Sequence, residues 1–331
     1  MPQRLVFLLA AFTGIALDPI PDKLVVLTFD DSVKSHSTVV RPILKRYGFG
    51  ATFFITEGFD YPTNKKDYMT WDEIAELNAD GFEIGNHTRD HFTVKTTNID
   101  KLAEQLKAIN DRCREHKIPL PVSFAWPGNG LAPNAFPILK EHGIKFARRG
   151  GAPEYPYQEG QGFAYEPGLD HPLLVPSAGD ARPNWTIKNF VAAVEQAKSG
   201  RIAVLQFHGV PDNAHPWVHT PPEQFEAYMK YLSENGYKVI AMRDLTKYVN
   251  PAVVPSDPMG IMKERTTRIK RIPSGDSRPA KTSMNRTPEI LDMIPVHTRL
   301  ALGSDSPCGN VVQEFTARGC TGCTVSSFVC C

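Results

Sequence analysis

The sequence predicts an α/β fold built on a parallel sheet, and its length favours closure of that sheet into a barrel over an open sheet. Three observations carry this. Between about residues 22 and 250, short β-branched runs alternate with stretches of helical period. Reactive polar side chains stand directly after four of those runs, where parallel α/β folds gather ligands at the carboxyl ends of their strands. The composition, 41% hydrophobic and 22% charged over 331 residues, is enough for a sizeable core.

The elements follow in order. Residues 1–4 hold one positive charge, residues 5–17 are apolar apart from Thr13 and Gly14, and a break with two prolines follows. A run this short falls below the roughly 20 residues needed to cross a bilayer as a helix. It reads as a secretory signal over residues 1–17. No other segment is long enough to span, so any membrane attachment would be an uncleaved signal anchor, and the expected location is secreted, periplasmic or cell-envelope.

The run 24–29 (LVVLTF) is the first expected strand, followed by a helix through Val39, Ile43, Leu44 and Tyr47 that stops at Gly48. Residues 51–55 (ATFFI) form the second strand. Thr70 and Glu73 make a capping box opening a helix that ends at Gly81. Residues 82–86 are the third strand, followed by a helix with its apolar stripe on Ile99, Leu102, Leu106, Ile109 and Cys113. Cys113 on that stripe reads as a small buried hydrophobe. Residues 122–125 give a fourth strand and residues 144–147 a fifth. Residues 150–185, rich in Pro, Gly and Tyr, are expected to form long surface loops. A helix through Ile187, Phe190 and Val194 precedes strands at 202–207 and 237–241. Beyond residue 250 the periodicity vanishes, and residues 251–331 read as a disordered or non-catalytic tail. Five of the six cysteines lie there, past position 300. Cys320, Cys323, Cys330 and Cys331 leave zinc binding, disulfides and an unstructured extension all open.

The charge balance, 37 Lys plus Arg against 36 Asp plus Glu, gives no reason to expect nucleic-acid binding. The target is expected to be uncharged or weakly charged.

Single motifs are weak: ten histidines give about 0.3 chance pairs at a spacing of four, so His87 and His91 alone prove little. Their placement raises the odds. Asp30 and Asp31 follow the first strand, His87 the third, Pro127 and Gly128 the fourth, and His208 the run 202–207. Adjacent strand residues point to opposite faces, so Asp30 and Asp31 can share one site only if the strand ends there and turns. Two neutral imidazoles and a carboxylate suit a borderline divalent cation such as zinc. Such an ion lowers the pKa of bound water from about 15.7 to about 7.

The motifs TFDD (28–31), HTRDH (87–91), FAWPG (124–128), residues 180–185 and LQFHG (205–209) together resemble the polysaccharide deacetylase (NodB-homology) family, also called carbohydrate esterase family four. The resemblance covers residues 22–250 and implies a distorted (β/α) barrel of about seven parallel strands with an irregular C-terminal tail. It also implies one divalent metal, zinc foremost and cobalt, nickel or iron as alternatives, on Asp31, His87 and His91. Asp30 would be the general base, His208 the general acid, and Asp180 the carboxylate that orients His208. A backbone N–H near Gly128, beside Pro127, would hold the oxyanion, and Trp185 would line the acyl pocket or pack beside it. The substrate would be an acetylated polysaccharide such as peptidoglycan, chitin or xylan.

Departures stand beside the match. The position where the family usually has an arginine paired with the base is Ala125, and Arg182 is the substitute cation the sequence offers. Ser32 follows the Asp pair where Gly is common, and Asn184 stands where Asp is frequent. Trp217, in the loop after His208, is placed either to stack on a sugar ring or to cover the core. His36 reads as a residue at the start of a helix or as a substrate contact. Two further readings remain: a carbohydrate-binding barrel impaired in turnover, and a metal-dependent amidase acting on a small cyclic amide.

Overall fold

A computed structural model describes residues 16–271. The expected signal, apart from its last two residues, and the cysteine-rich end lie outside the described residues. Nine strands are present in the described part: β1 (Leu24–Phe29), β2 (Thr52–Ile55), β3 (Glu83–Asn86), β4 (Ser123–Ala125), β5 (Phe146–Arg149), β6 (Val175–Pro176), β7 (Gly179–Asp180), β8 (Ala203–Phe207) and β9 (Lys238–Ile240). The helices are α1 (Arg41–Tyr47), α2 (Trp71–Ala79), α3 (Leu102–Glu115), α4 (Phe136–Glu141), α5 (Ile187–Val194), α6 (Pro222–Glu234) and α7 (Gly260–Arg271). None of them is long and apolar enough to cross a membrane.

All ladder pairs are parallel, in the order β6-β5-β4-β3-β2-β1-β8-β7, with β9 on the first half of β1. The expected barrel is present. Its closure comes from the segment expected to be a surface loop. β6 pairs with β5 and β7 with β8. Between them Ser177 N donates to Arg149 O at 3.0 Å and Ala178 N to Val204 O at 2.7 Å. One extended segment therefore hands its hydrogen bonds from β5 to β8, and counted as one strand it makes seven positions around the ring. Residues 173–182 are buried throughout. Their Pro and Gly content hid a strand that needs only two residues of pairing on each side.

Strict alternation sorts the barrel strands. Val25, Leu27 and Phe29 pack outward with Phe53, Phe207 and the helices, while Leu24, Val26, Phe54, Phe146 and Val204 fill the interior. The same parity points Thr28, Asp30, Arg148, Gln206 and His208 inward at the top. Local signals fix the helices. Thr70 accepts from Glu73 N while Glu73 caps the Thr70 N–H, and Gly48 at φ +68° ends α1.

The tail expectation needs correcting at its start. Residues 260–271 form α7, with Met262 and Arg265 buried. Arg265 makes a two-pronged pair with buried Asp170, at 2.7 and 3.1 Å. A mostly polar helix with only two buried residues leaves a weak periodic signal, which is why the sequence pattern stops at residue 250.

Candidate active site

Asp30, Asp31, His87, His91, Trp126, Gly128, Gln206, His208 and Trp217 line one cavity of about 140 Å³ at the carboxyl ends of β1, β3, β4 and β8. The two aspartates share it by the turn that parity demands. Asp31 and Ser32 are both left-handed, at φ +75° and +57°, which swings Asp31 back over the barrel mouth. Ser32 secures this turn on β2: its Oγ donates to Thr56 O at 2.7 Å and accepts from Thr56 N at 2.9 Å. A glycine there would lose both bonds, which accounts for the serine.

Asp31, His87 and His91 offer ligand atoms that all lie within 4.8 Å of one another. Asp31 Oδ1 is 3.4 Å from Nε2 of each histidine and is buried without a hydrogen-bond partner. That separation exceeds an ordinary hydrogen bond. Two ligands each about 2.0–2.1 Å from a tetrahedral ion stand roughly 3.3–3.4 Å apart, so the spacing fits a shared cation. His87 Nδ1 lies 2.8 Å from Ala125 O and so carries its proton there, which leaves the Nε2 lone pair facing Asp31. Burial pulls His91 down to about 4, keeping it neutral with a lone pair at ordinary pH. Burial acts to raise the Asp31 carboxyl, but His87, His91 and His208 hold it well below the usual range. The donor set therefore fits one divalent cation.

On one side of this trio, Asp30 is 2% exposed and accepts from Arg148 Nη2 at 2.5 Å and from Gln206 Nε2 at 3.3 Å. Its Oδ1 has no partner. The cation beside Asp30 is thus Arg148, a residue the sequence reading passed over. Arg182, the substitute expected there, instead donates Nη2 to Asp180 Oδ2 at 2.5 Å, with its guanidinium 3.9 Å from the Tyr157 ring centre. Ala125 and Arg148 are ladder partners on β4 and β5, so their side chains point to the same side. The small side chain at 125 leaves the space that Arg148 crosses. The sequence did hold the signal, since extending the fifth strand by two residues puts Arg148 in phase with inward Phe146.

On the other side, His208 lies with Nε2 3.9 Å from Asp31 Oδ2 and Nδ1 3.8 Å from Asp180 Oδ1. Asp180 thus faces His208 at ion-pair distance, not at hydrogen-bond distance. Burial pushes the Asp180 carboxyl up, against the opposing pull of His208, Arg182 and Arg148. His36 is fully buried between Phe29 and Phe53, so it is no substrate contact. Its Nε2 donates to His208 O at 3.1 Å and fixes the backbone of that residue.

Gly128 lines the cavity at φ +58°, where an added Cβ would lie 2.8 Å from Thr93 Oγ1. Pro127 is buried beside it and shapes the turn from below. Trp185 is displaced from its expected place. It packs in the outer core against Gly179, whose missing side chain leaves room for the indole, and it lines a separate cavity with Lys188 and Asn189. Gly179 and Asp180 point to opposite faces, so a residue packed on Gly179 stands across the strand from the site. Trp217 is on the rim, 62% exposed.

The polysaccharide deacetylase family model matches residues 18–147, a span holding Asp30, Asp31, His87 and His91. Over that span the chain is similar to the polysaccharide deacetylase family. A peptidoglycan-N-acetylglucosamine deacetylase of Bacillus cereus is 24% identical over 234 residues, covering 70% of this chain and 91% of that protein. Among solved structures, a family 4 acetyl xylan esterase from Clostridium thermocellum with a bound cobalt ion is 21% identical, with a TM-score of 0.48, over 70% of this chain and 96% of the other. A family 4 pseudoenzyme from Bacillus anthracis is 16% identical, with a TM-score of 0.47, over 71% of this chain and 72% of the other. This chain holds the Asp-His-His trio and brings its cation to Asp30 from β5.

Proposed function

We propose that this chain is a metal-dependent hydrolase that removes acetyl groups from an acetylated polysaccharide, with amino-sugar polymers such as peptidoglycan or chitin foremost. One observation carries the reading: three convergent metal donors lie between a buried carboxylate, Asp30, and a buried imidazole, His208, on a single cavity.

Asp31, His87 and His91 would hold the ion, zinc being the expected metal for this donor set. When bound, the cation supplies Lewis acidity at the acyl group and makes a nearby water easier to deprotonate. Asp30 accepts the proton of the attacking water through its unpartnered Oδ1. Arg148 and Gln206 hold the other oxygen, so the carboxylate keeps one orientation. Gly128 presents backbone to the cavity; the N–H groups of Asn129 and Gly130 are already spent on Trp126 O and Pro127 O. Its amide is therefore the one available to the developing oxyanion. His208 gives a proton to the departing nitrogen or oxygen, while Asp180 and Arg182 set the field behind it. A buried carboxylate and a buried imidazole on one cavity support turnover over binding alone. The charged start and apolar run of residues 1–17 support export as a secreted or envelope protein.

The test exploits leaving-group chemistry. An amide nitrogen cannot leave as an anion, whereas an aryl acetate leaves as a stabilised phenolate. His208→Ala should lose about a hundred- to ten-thousand-fold on an N-acetyl sugar and far less on an aryl acetate. Asp30→Asn should cripple both. Equal losses in His208→Ala, with metal content unchanged by elemental analysis, would refute the acid assignment. An active purified protein without metal would sink the metal reading.

A further inference from the structure

Both turns that carry the metal donors are strained. Asp31 and Ser32 are left-handed at φ +75° and +57°, and Thr88 and His91 at φ +61° and +49°. Residues other than glycine rarely hold such a backbone, and it persists only where the surroundings over-determine it. One residue, Thr56, meets both turns. It lies directly after β2 and is fully buried. Its main chain holds the first turn, through the bonds of 2.7 and 2.9 Å that it makes with Ser32 Oγ. Its side chain holds the second: Thr56 Oγ1 accepts from His91 N at 2.9 Å and donates to Arg89 O at 2.9 Å. The same oxygen accepts from Gly58 N at 3.0 Å, so the one donor and two acceptor sites of the hydroxyl are all used. Glu57 N adds a bond to Arg89 O at 2.7 Å. Packing leaves no slack here, since a Cβ on Gly58 would lie 2.8 Å from His91 Cβ.

The two histidines of the trio are held in different ways. His87 is oriented through its ring, which meets Ala125 O at 2.8 Å. Its amide continues the sheet ladder, donating to Ile55 O at 3.0 Å. His91 stands past the strand, in the turn, and Thr56 grips its amide. The position of the His91 ring therefore follows that of its backbone. The 3.4 Å separation of Asp31 Oδ1 and His91 Nε2 spans the two turns that Thr56 braces. Donors that can drift apart bind a cation less tightly, because binding must then also order the loops that carry them.

We propose that Thr56 is a positioning residue for the metal centre, which sets the distance between Asp31 and His91 in advance of the cation. This rests on the metal-dependent reading above. The test measures the zinc affinity of the full chain by competition with a chelating dye, so it needs no turnover. Thr56→Val keeps the shape and loses the hydroxyl. It should weaken zinc binding about ten- to a hundredfold, the scale for groups that stand behind metal ligands. Thr56→Ser keeps the oxygen and should recover most of the affinity. In the cobalt-loaded protein, the visible absorption of Thr56→Val should change while Thr56→Ser keeps the parent spectrum. Should Thr56→Val fail to fold, Ser32→Ala carries the test from the Asp31 side, with the Thr56 hydroxyl intact, and should also weaken zinc. Parent-like zinc affinity in the folded variant, or equal losses in the valine and serine variants, would overturn the positioning role and leave the metal reading standing. A parent that binds no zinc would overturn both.

Discussion

Arg148 and Arg149 are neighbours on one strand, each 1% exposed and each paired with a carboxylate, yet only one pair is complete. Arg149 points outward and spends its donors on both oxygens of Glu154, at 2.8 and 2.6 Å, and on the carbonyls of Gly150, Ala152 and Leu174. Arg148 points inward and reaches Asp30 through one nitrogen, leaving its Nε and Nη1 and the Asp30 Oδ1 without partners. The Arg182–Asp180 pair repeats the incomplete pattern, with Arg182 Nε and Asp180 Oδ1 unpartnered. Buried polar groups are normally satisfied, so an incomplete pair calls for an explanation. Here both incomplete pairs face the groups assigned to catalysis, and the complete one ties a loop to the strand.

The sharpest way to break this comparison is Arg148→Ala. It should lower kcat on the order of a hundredfold, as loss of a held general base does, with metal content unchanged. Restoring a cation from the ladder partner, in Arg148→Ala with Ala125→Arg, should recover part of that loss. Steady-state kinetics that show no loss would return Arg148 to a structural role. Arg149→Ala should do the converse. Breaking a complete buried pair costs about 3–5 kcal/mol, read as a lower urea midpoint, while the folded fraction keeps its kcat.

A third measurement concerns a buried neutral group behind the site. Burial holds His36 down at about 4, against 6.5 for the free side chain. The unfolded chain therefore binds more protons between those values. His36 contributes stability that is present above about pH 6.5 and lost as pH falls toward 4, up to ~3 kcal/mol. Urea titrations across that window should show the slope, and His36→Asn should flatten it. The smallest effect belongs to the flank. Arg265→Ala leaves Asp170 buried without its cation, and burial already pushes that carboxyl up toward its neutral form. A loss of about 1–3 kcal/mol in thermal unfolding, with acetate release intact in the folded protein, is expected. Loss of activity without loss of stability would show that α7 acts on the site.

Much of this was legible in the chain. The runs at 24–29 and 202–207, the capping box at Thr70 and Glu73, and the positions of Asp31, His87 and His91 all follow from local rules of period and punctuation. Other features were not. Residues 175–180 look like loop because two short pairings with strands far apart in sequence leave no periodic trace. Trp185 was placed by the family pattern, but its side of the strand depended on which face Gly179 opened.

The sequence by itself determined the order of the longer strands and helices up to residue 250 and the reactive groups at the strand ends, because side-chain period and turn chemistry act over a few residues. Tertiary structure alone decided which arginine meets Asp30. That choice depends on the register of β4 against β5, which sets Ala125 beside Arg148 across 23 residues of chain and leaves Arg182 to Asp180. Charge pairing in a barrel interior follows distance in space, and no local pattern encodes that distance.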